Sequence, residues 1–277
     1  MLKITDEGYS LPVIHALASF RTLSSGSTEP MLVSGVDEIT GARGQYVVKF
    51  MKAPRMSTKA ACCELLGAWI GKELDMTVAE PAVIRVSAEF ADTLAGQGSY
   101  KNVANSVGLN FGTMYEAGYS SIITSSISSG SRLFDQAKDV LALDTYLSNA
   151  DRGSAKPNLL TNGNHFFLFD HELAFSFTSL LSFLRNATPW MLNDSEKDMC
   201  RKHCLYVSLK DNVVDFKGFV DEFSRINDYF WERVEYFIPA AWLSEQKDFL
   251  NDVKMHSQAI NAHKKEFSDS LTNVLIA

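Results

Sequence analysis

The sequence predicts an α+β protein with a strand-rich first part and a mainly helical second part. Runs of β-branched and aromatic residues at 45–50 and 77–86 are typical of strands. From residue 179 onward, apolar residues recur with helical spacing. The chain has 277 residues, 46% of them hydrophobic. That is enough for a large core, in one two-lobed domain or in two small ones.

Charge and composition restrict the classes of partner. The net charge of -7 and the isoelectric point near 5.4 argue against a nucleic acid or an anionic membrane as the main partner. No apolar run approaches the ~18 residues that span a bilayer, and the first residues lack the apolar core of a signal peptide. We therefore expect a cytoplasmic protein with neither nucleic acid nor membrane as a direct partner.

The first loop with possible chemistry follows an apolar segment at residues 12–20. It contains Ser24, Ser25, Gly26 and Ser27 and is followed by a second strand-like run. Small hydroxyl residues around a glycine can present backbone N–H groups and hydroxyls to phosphate oxygens. Serine-glycine loops are common, so a plain polar hairpin loop is the simpler interpretation of this segment alone.

The strand at residues 45–50 carries a single lysine. Alternation places Tyr46, Val48 and Phe50 on one face and Lys49 on the other. A lysine in so apolar a strand has two interpretations. It either protects an edge strand from aggregation or points into a cleft to hold phosphate groups.

The next predicted element is a helix that begins at Ser57 or Thr58 and ends near residue 74. Glu64 lies between small residues one turn away on either side, so it borders the apolar stripe of the helix. A carboxylate in that position needs a partner, and Lys49 precedes it by a short connection. The alternative is a glutamate that reaches solvent past its small neighbours.

A short apolar segment interrupted by glycines covers residues 109–118 and contains Met114, Tyr115 and Glu116. It is a candidate hinge between two lobes, with backbone groups that could bind a base. A helix over residues 132–147, capped by Ser131, then leads the chain to the stretch with the most chemistry.

That stretch begins with Asp151, which a basic residue follows, and continues as a loop rich in Gly, Ser and Pro that ends in Asn158. The Asn-Gly pair at 162–163 is a strong hairpin signal, because both residue types tolerate positive φ. The hairpin places Asn158 and Asp170 on adjacent strands near one mouth. Two acids and an amide oxygen then face one small volume, a donor set that suits Mg²⁺ carrying substrate phosphates. The leading acid can accept or orient a hydroxyl proton.

The remainder of the chain is predicted to be helical, with Pro239 separating the last two helices. The helices are expected over residues 179–185, 195–208, 216–237 and 242–275. Their aromatic residues are interpreted as core.

Taken in order, these pieces resemble the HipA-like kinase family, specifically its small stand-alone bacterial branch. The resemblance implies a two-lobed fold like that of phosphatidylinositol 4-kinases and, more distantly, protein kinases. It implies a β-rich N-lobe at residues 1–118 and a mainly helical C-lobe at 119–277. The matching pieces are Ser25-Gly26-Ser27 with Pro30, Val47-Val48-Lys49-Phe50, Glu64-Leu65, Phe111-Gly112, Asn149-Ala150-Asp151-Arg152, Pro157-Asn158-Leu159-Leu160, Phe169-Asp170-His171 and Ile238-Pro239-Ala240-Ala241-Trp242-Leu243.

The resemblance also implies a role for each charged residue. Lys49 would contact the ATP phosphates, and Glu64 would steady it. Asp151 would be the catalytic base or the acid that orients the acceptor hydroxyl. Asn158 and Asp170 would bind Mg²⁺.

Two further segments receive roles in the same way. The loop from Ser24 through Ser25 and Gly26 to Ser27 would lie beside the phosphates. Residues 111–116, with Met114, Tyr115 and Glu116, would form the hinge that binds adenine. The sequence departs from protein kinases in two places. Asp151 to Asn158 is two residues longer than their catalytic loop, and Asp170-His171-Glu172 replaces Asp-Phe-Gly.

The implied activity is transfer of the ATP γ-phosphate to a hydroxyl, with protein serine or threonine as the favoured acceptor. ATP and Mg²⁺ are the implied cofactors. Some members of the family are toxins, so a toxin–antitoxin role and an antitoxin or regulatory protein partner are expected too. The alternatives are an ATP-binding pseudokinase that regulates a partner, an AMP-transferring enzyme, and a lipid or small-molecule kinase on the same fold.

Overall fold

The first part of the chain folds into a closed five-stranded barrel. The structure is a computed structural model that describes residues 2–23, 29–53, 56–124 and 127–276. The strands follow the spatial order β1-β2-β3-β5-β4, and β1 closes the barrel by pairing in parallel with β4. They are β1 (Val13–Thr22), β2 (Met31–Asp37), β3 (Arg43–Lys49), β4 (Pro81–Val86) and β5 (Gly108–Met114).

The barrel interior contains the residues that strand alternation assigned to it. Tyr46, Val48 and Phe50 are buried in one apolar cluster with side chains from the other strands, which confirms the predicted alternation. Two short helices, α2 (Ala88–Asp92) and α3 (Tyr100–Ala104), contribute to the same cluster and cover one side of the barrel. Lys49 therefore lies on the outer face.

The predicted strand at residues 77–86 is shorter than expected, since β4 begins only at Pro81. The residues before it pair elsewhere. Val78 forms a parallel bridge with Leu168, and the Ala79 N–H donates to the Leu168 carbonyl over 2.9 Å. This segment thus joins the barrel to the hairpin that carries Asp170.

Helix α1 (Thr58–Glu73) confirms the predicted helix, and the Ser57 side chain caps it by accepting from the Ala60 N–H at 3.1 Å. The predicted single apolar stripe is wrong, because nearly every residue from Ala60 to Glu73 is buried. The physical reason is its position: α1 packs against β4 and β5 on one side and against a C-terminal helix, α9 (Ala240–Glu245), on another.

The predicted hairpin is present as part of a small three-stranded sheet, β6 (Ser120–Ser121), β7 (Leu159–Thr161) and β8 (Phe166–Leu168). Its turn differs from the expectation that both residues adopt positive φ. Only Gly163 does so, with φ of 88°. Asn162 instead accepts hydrogen bonds from two following backbone N–H groups through its side chain, as in an Asx turn.

Helix α4 (Arg132–Tyr146) matches its prediction, with Ser131 as the N-cap. The later helices are more broken than predicted. The segment 179–185 forms only 3₁₀ turns at Ser176–Ser179 and Ser182–Leu184. The other helices are α5 (Asp194–Lys202), α6 (Tyr206–Leu209), α7 (Lys217–Asp221), a 3₁₀ turn at Glu222–Arg225, α8 (Asp228–Phe237), α9, α10 (Lys247–Ala262) and α11 (Lys264–Ile276).

Side-chain bonds explain two of these breaks. His203 ends α5 in extended conformation, while its ring bonds to a buried acid of α4, Asp144. Asn227 starts α8 anew by capping the Phe230 N–H. Pro239 separates α8 from α9 as predicted.

A second apolar cluster extends from α1 through α4 to the C-terminal helices, separate from the barrel interior. The predicted division into lobes at residues 118 and 119 stays a prediction. In the described part of the chain, no helix combines the length and the apolar character that crossing a membrane requires.

Candidate active site

Lys49 is the last residue of β3, and its ammonium group lies among three carboxylates. It bonds to Glu64, to Asp170 at 2.5 Å and to Glu172 at 2.9 Å. Burial opposes the charge on Lys49, but the three acids outweigh it and raise the pKa of the ammonium group. The interpretation as an edge-strand charge is wrong, because β3 lies between β2 and β5 in a closed barrel.

Glu64 links the lysine to the hairpin. One of its oxygens accepts from Lys49, and the other accepts from the backbone N–H of His171 at 2.8 Å. The side chain is 3% exposed, so the alternative of a glutamate that reaches solvent is wrong. Burial raises the pKa of the Glu64 carboxyl, and Lys49 only partly counteracts this effect.

Asn158 and Asp170 lie just outside the two strands of the hairpin on which they were predicted, and both adopt the left-handed conformation. Their φ angles are 47° and 62°. Residues with side chains occupy this region rarely, at a cost of order 1–3 kcal/mol, and mostly where the surrounding structure holds them. Burial would raise the pKa of Asp170, yet Lys49 and Lys156 lower it to about 2. Ionised Asp170 therefore stabilises the fold above about pH 4, and this contribution is lost as the pH falls toward 2.

Asp151 lies in the loop between α4 and the hairpin, with its side chain 25% exposed. The Asn158 amide group donates to the Asp151 carboxylate over 3.0 Å. Because a carboxylate only accepts, the amide nitrogen of Asn158 must face Asp151 and its oxygen must face away. The three residues that the sequence placed around one volume are therefore brought together.

Sequence reasoning missed two charged members of this site. Lys156 donates to Asp170 over 2.8 Å, and its ammonium lies 3.6 Å from the Asp151 carboxylate. Glu172 is the third acid on Lys49. Each of them stands two residues from a predicted ligand in the sequence, Lys156 from Asn158 and Glu172 from Asp170. This proximity was the one sequence signal for them.

A buried polar network holds the loop that carries Asp151. Arg152, 1% exposed, donates to Asp144 over 2.5 Å, to the backbone carbonyls of Asn158 and Phe169, and to the His171 ring. Burial would raise the pKa of Asp144, but Arg152 and His203 hold it well below its usual value. Burial and the Arg152 charge lower the pKa of His171 to about 3, so its ring is neutral and accepts from Arg152.

Gly67 of α1 makes room for His171, and we expect Gly67→Ala to disturb the site. A Cβ atom at Gly67 would lie 2.5 Å from the His171 ring and 2.6 Å from its Cβ. Overpacking of this kind costs about 1–3 kcal/mol, which chemical denaturation would measure. Gly218→Ala in α7 is the control, because no atom lies within 4 Å of a Cβ there. Equal stability of the two variants would contradict this reading of Gly67.

The acidic groups of the site could hold a divalent cation, and Asn158 and Asp170 stay its predicted ligands. Four carboxyl groups, those of Glu64, Asp151, Asp170 and Glu172, face only two ammonium groups, so acidic groups are in excess. The ligating oxygens of Glu64, Asp170 and Glu172 also lie within 4.8 Å of one another. Lys49 already bonds to all three, so the other oxygen of Asp170, which pairs with the partly exposed Lys156, is the more accessible position for a cation.

The predicted hinge residues lie at the end of β5. Met114 is opposite Tyr46 of β3, three pairs from the pair of Lys49 and Phe111, or about 10 Å along the strand. The backbone N–H groups of Met114 and Tyr115 already donate to the carbonyls of Glu80 and Gln45, over 2.9 and 2.8 Å, so neither is free to bind an adenine. Ser24, Ser25, Gly26 and Ser27 lie outside the described residues.

The sequence matches the family model described as HipA-like kinase over residues 18–270. The chain belongs to the HipA-like kinase family. This confirms the resemblance inferred from the ordered motifs. No curated protein matches the chain significantly. Among solved structures, this HipA-like kinase is similar to the crystal structure of a Helicobacter pylori proinflammatory kinase, CtkA. The identity is 15%, the TM-score is 0.43, and the match covers 95% of this chain and 96% of the other.

Proposed function

We propose that this member of the HipA-like kinase family transfers the γ-phosphate of Mg²⁺-bound ATP to a hydroxyl group of a protein serine or threonine. The observation that carries the proposal is the meeting of Asp151 and Asp170 at one ammonium group, that of Lys156. The proposed base, Asp151, and a proposed metal ligand, Asp170, thus lie close together. Lys49 bonds to the other oxygen of Asp170.

Each residue then has one task. Asp151, the more exposed acid, accepts or orients the hydroxyl proton. Asp170 and the amide oxygen of Asn158 would hold Mg²⁺, which neutralises the phosphate charge. Lys49 has three N–H donors, and three carboxylates use them. A phosphate oxygen that Lys49 contacts would therefore share one of these donors with a carboxylate.

A protein acceptor is supported by a cleft beside the Asp151 loop. Its volume is about 740 Å³, and it is lined by Ala150 and Gly153 of that loop and by apolar side chains such as Leu180 and Leu184. Leu184 is 60% exposed, and the neighbouring Phe183 is 78% exposed. Most of the residues that line the cleft are polar, but exposed apolar side chains at one edge are typical of surfaces that bind a polypeptide. The toxin role and its antitoxin partner stay predictions from the family resemblance.

The test is a transfer assay with ATP labelled at either the γ- or the α-phosphate. We expect γ-label on protein in the presence of Mg²⁺, and a loss of about 10²- to 10⁴-fold in Asp151→Asn. Nucleotide affinity should remain unchanged in that variant, because Asp151 makes no proposed contact with ATP. Asp92→Asn, an exposed acid at the end of α2, is the matched control.

Other outcomes would contradict the proposal in different ways. Transfer of α-label would indicate an AMP-transferring enzyme. Nucleotide binding without any transfer, by the wild-type protein as by Asp151→Asn, would indicate a pseudokinase. Label found only on lipid or on small molecules would leave the kinase activity and exclude the protein acceptor.

A further inference from the structure

Lys156 is held differently from the other lysine of the site. Its side chain is 43% exposed, whereas that of Lys49 is 11% exposed. Lys49 has three buried carboxylates as partners. Two of them, Glu64 and Glu172, would still hold it if Asp170 moved away. Within the described residues, the ion pairs of Lys156 are those with Asp170 at 2.8 Å and with Asp151 at 3.6 Å. Of the two ammonium groups, that of Lys156 is therefore held more weakly.

Asp170 has one ammonium group on each of its oxygens. Lys49 bonds to Oδ1, and Lys156 bonds to Oδ2. Each oxygen has two acceptor sites, but a metal ion on either oxygen would lie beside an ammonium group that repels it. Displacing Lys49 would disrupt its buried ion pairs with the acids, and acids left buried without their cation strongly destabilise a fold. Exchange of Lys156 breaks an ion pair whose lysine is partly exposed, so water can solvate the released ammonium group.

We propose that Lys156 is an exchangeable counter-ion that competes with the divalent cation for Asp170, with Asp151 as its second partner. The inference rests on the proposed function, in which Asp170 is a metal ligand. Lys156 neutralises the two acids while no metal binds them, and it leaves Asp170 Oδ2 when a metal arrives.

The loop around Lys156 suits such an exchange. Its backbone is fixed, because the Lys156 N–H donates to the Gly153 carbonyl over 3.2 Å and Pro157 follows directly. The four-carbon side chain can rotate while the backbone stays in place. Asn158 is two residues away, so the released ammonium stays beside the metal position and close to the phosphates that the metal would carry.

The experiment measures Mn²⁺ affinity of the full chain by electron paramagnetic resonance, without nucleotide. We expect Lys156→Met to bind Mn²⁺ about fivefold more tightly than wild type, because it loses a competing cation. Lys156→Arg keeps the charge and should stay within about twofold of wild type. Lys101→Met, which removes an exposed lysine of α3, is the control and should not change the affinity.

A second readout separates competition from a merely structural role. Without metal, Lys156→Met should melt at a lower temperature than wild type, because Asp151 and Asp170 lose their shared cation, and Mn²⁺ should raise its melting temperature more than that of wild type. An affinity for Mn²⁺ that is unchanged or lower in Lys156→Met overturns the proposal, as does the absence of Mn²⁺ binding in all variants. If the shift in affinity is found but wild type transfers no phosphate, the competition stands and the proposed kinase activity fails.

Discussion

Replacing Lys49 by methionine is expected to remove phosphate transfer and to destabilise the fold by about 3–5 kcal/mol. This range is typical when one partner of a buried ion pair is removed, because the other charge stays buried without compensation. Here the remaining charges would be those of Glu64, Asp170 and Glu172, all within 2.9 Å of the ammonium that is lost. Urea denaturation at pH 7, followed by tryptophan fluorescence, measures the change in the free energy of unfolding.

The pH dependence of the stability of Lys49→Met follows from the same contacts. Without the lysine, the pKa of the buried Glu64 carboxyl rises further above its unfolded value, so this group binds more protons in the folded state than in the unfolded state. Stability then falls as the pH rises, and the deficit relative to wild type should be smaller at pH 5 than at pH 8.

Lys49→Met/Glu64→Gln is the matched control for the loss of Lys49, because it removes one of the uncompensated acids. It should recover part of the lost stability and none of the transfer. A deficit that is equal at pH 5 and pH 8, and equal in the single and double variants, would show that Lys49 acts by packing alone.

The parts of the site that the sequence could predict depend on local rules. Strand alternation placed Lys49 on the face opposite the apolar side chains of its strand, and helical spacing placed Glu64 near the core. The hairpin signal at 162–163 placed Asn158 beside Asp170. Each of these rules acts over a few residues, so it needed no knowledge of the tertiary contacts. The family resemblance then supplied the order in which the pieces belong.

The parts that could not be predicted depend on contacts between distant segments. Helix α1 has no single apolar stripe because β4, β5 and α9 surround it. The network of Asp144, Arg152 and His203 joins α4, the loop and the end of α5, and no spacing rule relates the three. His203, whose ring belongs to this network, is also the residue at which α5 ends. The network and the helix break, neither of which the sequence predicted, therefore have one cause.

Replacing Arg152 by methionine is expected to cost about 3–5 kcal/mol and to reduce transfer at least as strongly as Asp151→Asn. Arg152 donates to the carbonyls of Asn158 and Phe169, on opposite sides of the hairpin base, and to Asp144 and His171. Its loss leaves a buried carboxylate without its cation and carbonyls without their donor. The free energy of unfolding and the transfer rate of the same preparation provide the measurement.

The geometry explains why activity should fall beyond the effect of stability. Asn158 and Asp170 adopt left-handed conformations that cost free energy unless the surroundings hold them. The guanidinium group of Arg152 bonds to the backbone directly beside both, so without it the two proposed metal ligands are expected to relax apart. Affinity for Mn²⁺ should then fall in Arg152→Met, in contrast to the rise expected for Lys156→Met.

Two further variants separate charge from geometry at this position. Arg152→Lys keeps a positive charge near Asp144 but lacks the planar fork that reaches several acceptors at once, so it should recover stability more than Mn²⁺ affinity. Arg152→Met/Asp144→Asn removes the buried charge pair together and should recover stability without recovering transfer. If Arg152→Met folds and binds Mn²⁺ with wild-type affinity, the hairpin keeps Asn158 and Asp170 in place without Arg152. The strain at Asn158 and Asp170 must then be compensated within β7 and β8.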